Sequence, residues 1–153
     1  MSRLRPLFAV PLAAAVVGGV LAAGLPALSD HLDRPHREKA QAVASALRAP
    51  AGSVTSTACR GDGQVACWET AQPVRVTADG LRQAMGERAE TVAALTCEQV
   101  PIETTGSHFS ADSCFVRVRF ADHGTFAFID PIVERDAAGV ATVVGARISL
   151  SAA

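Results

Sequence analysis

Three residues with the side chains of a hydrolytic triad lie close together in the sequence: His108, Ser110 and Asp112. A nucleophilic serine needs a histidine base and a carboxylate that are held by separate segments of a fold, whereas these three fall within a five-residue stretch. The Gly-x-Ser-x-Gly sequence of serine hydrolases does not occur in the chain. We therefore predict no catalytic residue, and a small hydrolase is the least favoured function.

Four cysteines offer a second kind of chemistry: Cys59, Cys67, Cys97 and Cys114. An even number in an oxidising compartment predicts two disulfides, and four cysteines allow three pairings. We expect Cys59–Cys67 and Cys97–Cys114, because each pair joins segments that resemble adjacent strands. The chain has no Cys-x-x-Cys sequence and no histidine at ligand spacing from these cysteines. Neither a zinc site nor a redox dithiol is therefore predicted, and we expect no cofactor.

Arg117 and Arg119 alternate with apolar residues in the segment 114–120. Residues two apart on a strand share a face about 6.6–7 Å apart, so apolar residues in the core would leave both arginines in solvent. Arg147, on the last expected strand, has the same outward parity. These three arginines form our candidate binding site, which would take an acidic protein partner or a phosphate-bearing ligand. A solvated sheet face with acidic neighbours is the alternative.

The C-terminal segments show the clearest strand pattern. Residues 114–120 alternate, Phe126 and Phe128 are expected to continue the same inward face, and alternate residues of 140–150 are expected to face the core. Short turns at 121–124 and 136–139 join these strands, which predicts an antiparallel meander. We expect it to belong to a sheet of about five or six strands.

An amphipathic helix is predicted over residues 33–48, because residues of one face recur every three or four positions: Leu32, His36, Ala40, Val43 and Leu47. Residues 54–60 and 65–70 are expected to form a hairpin. Residues 74–76 look extended and precede a short helix. Residues 98–113 contain Pro101, Gly106 and many hydroxyl side chains, so we expect the longest loop there.

The N-terminus combines Arg3 and Arg5 with an uncharged run over residues 7–28. As a helix, this run would rise about 33 Å, which is enough to cross a hydrocarbon core of ~30 Å. The basic residues ahead of it place the rest of the chain outside the cytoplasm. The small-x-small triplet Ala27-Leu28-Ser29 leaves open a cleaved signal peptide. We divide the chain into an anchor or signal segment, residues 1–29, and one extracytoplasmic domain, residues 30–153.

From residue 30 onward the chain carries 12 basic and 15 acidic side chains, a net charge of −3. Nucleic-acid binding calls for a basic surface, so we exclude a nucleic-acid partner. The fold class is therefore predicted as α+β: an N-terminal membrane helix, then an amphipathic helix on an antiparallel sheet with two disulfides. The Ala- and Arg-rich composition is typical of a GC-rich bacterial genome.

These features together predict a non-enzymatic accessory or binding domain of a bacterial cell envelope. It would be tethered to the cell membrane through residues 7–28, with the C-terminal domain outside, and would bind an envelope protein or an acidic ligand. The alternative is a secreted inhibitor or ligand-binding protein that is released by signal cleavage and uses the 98–113 segment as its contact surface.

Overall fold

Strand pairing between neighbouring segments dominates the structure. The computed structural model describes residues 30–59, 64–104 and 107–153. One antiparallel sheet has the strand order β1-β2-β6-β5-β4-β3. Its strands are β1 Val54–Thr55, β2 Gln64–Thr70, β3 Ala94–Thr104, β4 Ser107–Phe120, β5 His123–Arg135 and β6 Ala141–Ala152.

Two helices accompany the sheet: α1, residues 30–46, and α2, Val74–Ala89. Residues His36–Ala153 form one compact unit. The six-stranded antiparallel sheet, the amphipathic helix and both disulfides confirm the α+β class. The predicted membrane run at residues 7–28 lies outside the described residues. Within the described ranges, no helix combines the length and the hydropathy needed to cross a bilayer.

Helix α1 packs through only the C-terminal part of the face that its spacing predicts. Ala40, Val43 and Ala44 are buried, as is Leu47 directly after the helix, whereas Leu32 and His36 at the other end of the predicted face are exposed. The hydroxyl of Thr125, itself fully buried in β5, donates a 2.7 Å hydrogen bond to the carbonyl oxygen of Ala40. Because a buried hydroxyl without a partner is costly, this bond both satisfies Thr125 and ties α1 to the centre of the sheet.

Helix α2 is longer than predicted, and the expectation of an extended segment at 74–76 is wrong. The helix begins directly after Pro73, and its buried residues recur at helical spacing: Val74, Thr77, Ala78, Leu81, Met85 and Ala89. Valine and threonine have low helix propensity, which hides this first turn in the sequence, but burial against the sheet outweighs that preference.

The prediction of a long loop at residues 98–113 is also wrong, because the described residues of this segment belong to β3 and β4. The two strands pair without interruption from Ala94↔Arg117 to Thr104↔Ser107. Pro101 is compatible with this arrangement because β3 is the edge strand of the sheet, where a residue without an N–H need not donate to a further strand. Val100 and Ile102, two residues apart and flanked by Gln99 and Glu103, are the strand signal that the prediction missed.

The side chains of β5 that face the core are shifted by one position from the predicted ones, so the prediction that Phe126 and Phe128 face inward is wrong. Residues that pair directly share a face, and the pair Phe120↔His123 sets the parity of β5. Thr125, Ala127 and Ile129 are consequently fully buried. Phe126 and Phe128 lie on the opposite face, where both retain solvent contact.

The predicted inward face of the last strand holds only for its second half. Ala146, Ile148 and Leu150 are fully buried, whereas Val144 is partly exposed because the register shifts opposite Ile132 and Val133. A bulge of this kind changes which side chains point inward.

Candidate functional site

The face of the sheet opposite the helices carries a cluster of three phenylalanines, Phe115, Phe126 and Phe128. We call it the aromatic cluster. The ring of Phe115 lies 6.0 Å from that of Phe126 with an interplanar angle of 11°, and 4.7 Å from that of Phe128 at 38°. Phe128 remains 49% exposed. Aromatic pairs at these distances stabilise each other, so the cluster presents an ordered apolar surface rather than three independent side chains.

Strand register defines what surrounds this cluster. Phe115 pairs with Thr96 on β3 and with Phe128 on β5, and Phe128 in turn pairs with Ser149 on β6. This row therefore crosses the middle of the outer face. On β4, Arg117 lies two residues after Phe115 and Ser113 lies two residues before it, each about 6.6–7 Å from Phe115 along the strand.

The end of the outer face beyond Phe115 is basic. Arg117 pairs with Phe126, and Arg119 follows two residues later on β4. Both side chains are exposed, as their predicted outward parity requires. Within the residues that the structure describes, neither arginine has an ion pair or hydrogen bond. Two guanidinium groups are therefore available to an incoming acidic group.

The opposite end of the outer face is acidic. Glu98 on β3 pairs with Ser113, whose hydroxyl donates a 2.7 Å hydrogen bond to a carboxylate oxygen of Asp130 on β5. Among the described residues, Glu98 has no cationic partner. The aromatic cluster thus lies between a basic end, Arg117 and Arg119, and an acidic end, Glu98 and Asp130.

Arg147, the third arginine of the predicted patch, lies on this face at the acidic end and away from the other two. It pairs with Asp130 in the strand register, and its Nε donates a 2.9 Å hydrogen bond to Glu69. The hydroxyl of Ser56 donates to the same carboxylate oxygen at 2.8 Å. The bond from Arg147 and, next, that from Ser56 hold the pKa of Glu69 below its ordinary value. Arg147 therefore stabilises the β2–β6 pairing.

Two shallow clefts lie on either side of the Phe128 ring. One, of about 270 Å³, is lined by Thr96, Glu98, Phe115 and Arg117 among others. The other, of about 220 Å³, lies toward β6 and is lined by Cys59, Asp130, Arg147 and Ser149. Because Phe128 borders both clefts, a ligand on this face would surround a projecting aromatic ring.

The residues with triad side chains do not form a catalytic arrangement. His108, Ser110 and Asp112 occupy alternate positions of β4, so successive members are about 6.6–7 Å apart along the strand. Asp112 accepts two 2.8 Å hydrogen bonds from Arg75 at the start of α2, and a further one from Gln99. The hydrogen bond with Asp112 and the charge of that carboxylate raise the pKa of Arg75. These contacts connect α2 to the sheet.

Both predicted disulfides are present. Cys59–Cys67 joins the segment after β1 to β2, and Cys97–Cys114 joins β3 to β4, with Cα atoms 5.8 and 4.1 Å apart respectively. In the part of the chain that the structure describes, no group of three His, Cys, Asp or Glu side chains is arranged to hold a metal ion.

No protein-family model matches this sequence, and no curated protein sequence or solved structure is significantly similar to it. The function must therefore be inferred from the outer face itself. The sequence predicts the arginines of that face but not the aromatic cluster, because its alternation pattern assigns Phe126 and Phe128 to the core. The signal that could have found them is the pairing rule: with Phe120 inward and a short turn following it, residues 125, 127 and 129 must also face inward.

Proposed function

We propose that this chain is a non-enzymatic binding domain of a bacterial cell envelope, which is tethered to the membrane by residues 7–28 and binds a protein partner through the outer face of its sheet. The two disulfides support an oxidising, extracytoplasmic compartment. The basic N-terminus and apolar run support the tether. Release after signal cleavage would leave the same domain and the same binding face.

The observation that carries this proposal is the exposed aromatic cluster. A sheet face in solvent is ordinarily polar, since alternation places apolar side chains on the buried face only. Here the middle of the solvent face consists of three phenylalanine rings, with Phe128 about half exposed. An apolar surface with a charged border is typical of protein interaction sites, in which aromatic residues and arginine are enriched.

The flanking charges make the face selective. Arg117 and Arg119 lie at one end without ion-pair partners among the described residues, and Glu98 and Asp130 lie at the other. Such a distribution favours a partner that places acidic and basic groups in the reverse order and disfavours uniformly charged surfaces.

Site-specific photocrosslinking in cells that express the full chain tests this function. We would replace Phe128 by p-benzoylphenylalanine and, as the matched control, place the same probe at Val76, which is 57% exposed on α2. We expect one discrete crosslinked product from position 128 and none from position 76. The additional change Phe115→Asp should abolish that product, because it places a charge in the aromatic cluster. Equal crosslinking at both positions, or none at position 128, would contradict the proposal.

A further inference from the structure

We infer that the occupant of the outer face is a second copy of this chain, which docks face to face through a two-fold axis. This inference rests on the proposed binding function and identifies its partner. The molecule also has an open cleft of about 480 Å³ beside α2 and a cleft of about 190 Å³ between residues 48–50 and α2. Neither has the combination of exposed aromatic rings and opposed charges that the outer face has.

Charge complementarity points to the second copy. In a two-fold interface the same patch meets itself, so it must be self-complementary. A two-fold axis that lies in the interface and runs across the strands through the Phe115–Phe128 row places the basic end of each copy over the acidic end of the other. Arg117, two residues beyond Phe115, then meets the position of Ser113, two residues before it.

The two carboxylates of the acidic end flank Ser113, the position that Arg117 of the second copy meets. Glu98 pairs with Ser113 on one side, and Asp130 bonds to it on the other. Each Arg117 would therefore enter between two carboxylates of the second copy, and the symmetry makes this contact twice. Glu98 and Arg117 have no partner among the described residues of a single copy, and each gains one in the pair.

The aromatic rings meet along the axis. Because the axis runs through the Phe115–Phe128 row, Phe128 of one copy faces Phe128 of the other, and the two half-exposed rings cover each other. Five strands lie side by side only where β4 pairs with β5, from Cys114↔Ile129 to Phe120↔His123. At about 3.3 Å per residue, and with five strands about 4.8 Å apart, this region measures roughly 23 Å by 19 Å. The contact is therefore smaller than the ~800 Å² per partner of a standard interface, and the paired charges must supply much of its specificity.

Charge reversal gives a test specific to this symmetry. Sedimentation of the purified full chain in detergent should show a dimer. Arg117→Glu alone, or Glu98→Arg alone, puts like charges together at both symmetric contacts and should weaken self-association about tenfold or more. When the two variant chains are mixed, each Arg117→Glu site meets a Glu98→Arg site, and each unchanged Arg117 meets an unchanged Glu98. The mixture should therefore recover dimer affinity to within about threefold of the original chain.

Arg48→Glu, which reverses an exposed arginine outside the sheet, serves as the matched control and should leave the dimer unchanged. Circular dichroism of every variant checks folding. The crosslinked product at position 128 should have twice the mass of the chain. A product of another mass, together with a monomeric chain, would overturn the second-copy inference while leaving the binding function intact. The absence of any product would remove both. A dimer that the mixture fails to restore would refute the assigned contact between Arg117 and Glu98.

Discussion

The same substitution, glycine to alanine, should have opposite effects at two positions of this chain. Gly145 lies in β6 opposite Ile132, where the end of β2 approaches closely. A Cβ atom at position 145 would overlap the backbone carbonyl oxygen of Thr70 and come within 3.1 Å of the Cα atom of Ala71. Gly80 lies in α2, where a Cβ atom would meet nothing within 4 Å. The two sites thus separate steric overlap from the intrinsic preference of the backbone.

The expected magnitudes follow from these surroundings. Overlap with backbone atoms cannot be relieved by a rotamer change, so Gly145→Ala must displace β2 or β6. Overpacking of this kind costs about 1–3 kcal/mol, and we expect the upper half of that range. Gly80→Ala removes backbone freedom from the unfolded chain and should stabilise the protein by about 0.8–1 kcal/mol.

Urea unfolding of the purified full chain, with both disulfides oxidised, measures both effects. With a slope of about 2 kcal/mol per molar urea, the midpoint should fall by about 1 M or more for Gly145→Ala and rise by about 0.4–0.5 M for Gly80→Ala. A Gly145→Ala chain as stable as the original would refute the close approach of β2 to β6. A marked loss of stability for Gly80→Ala would contradict the exposed helical position assigned to it.

Two further predictions concern the covalent and ionic links between strands. Replacing Cys97 and Cys114 together by alanine should lower the free energy of unfolding by about 3 kcal/mol, since the bridge closes a loop with a sequence separation of 17; a loss below about 1 kcal/mol in urea unfolding would contradict this. The pKa of Glu69 is lowered in the folded state, so its contribution is present above the ordinary value of 4.5 and is lost as the pH falls through the folded value. Glu69→Gln should therefore destabilise the chain at pH 7 and progressively less toward pH 3. Melting temperatures across this range test the trend, with Glu134→Gln as a control for the loss of a carboxylate; a difference that stays constant with pH would refute it.

Local patterns predicted some elements well. The even cysteine count and the strand-like segments around them were sufficient for both disulfide pairings, because each bridge joins segments that are near in sequence. The apolar spacing of Ala40, Val43 and Leu47 likewise identified the buried face of α1. In each case the information lies within a short stretch of the chain.

Other elements depend on partners that are distant in sequence. The 98–113 segment looks like a loop by composition, and only its pairing across the β3–β4 turn shows why a proline is tolerated there. Phe126 and Phe128 look like core residues by hydrophobicity. The core at their strand instead takes Thr125 and Ala127, because these small side chains allow α1 to approach and its Ala40 carbonyl to bond with Thr125. The pair Phe120↔His123 sets the parity of β5, but the contact that suits Thr125 to the core joins residues 85 apart in sequence and is contained in no local pattern.

The placement of small side chains inward and phenylalanines outward on β5 connects the fold to the proposed function. Small residues beneath α1 leave the large aromatic side chains of β5 on the outer face, where β4 adds Phe115. Cys97–Cys114 fixes β3 to β4 on one side of this surface, and Cys59–Cys67 fixes β2 to the segment after β1 on the other. A surface held in this way loses little conformational entropy on binding, so more of the contact energy contributes to affinity. If residues 7–28 also confine the chain to a membrane, two copies meet at a raised effective concentration. A modest interface would then be enough to pair them. Removal of the anchor should therefore reduce the fraction of dimer in cells, although the contact between the two sheet faces is unchanged.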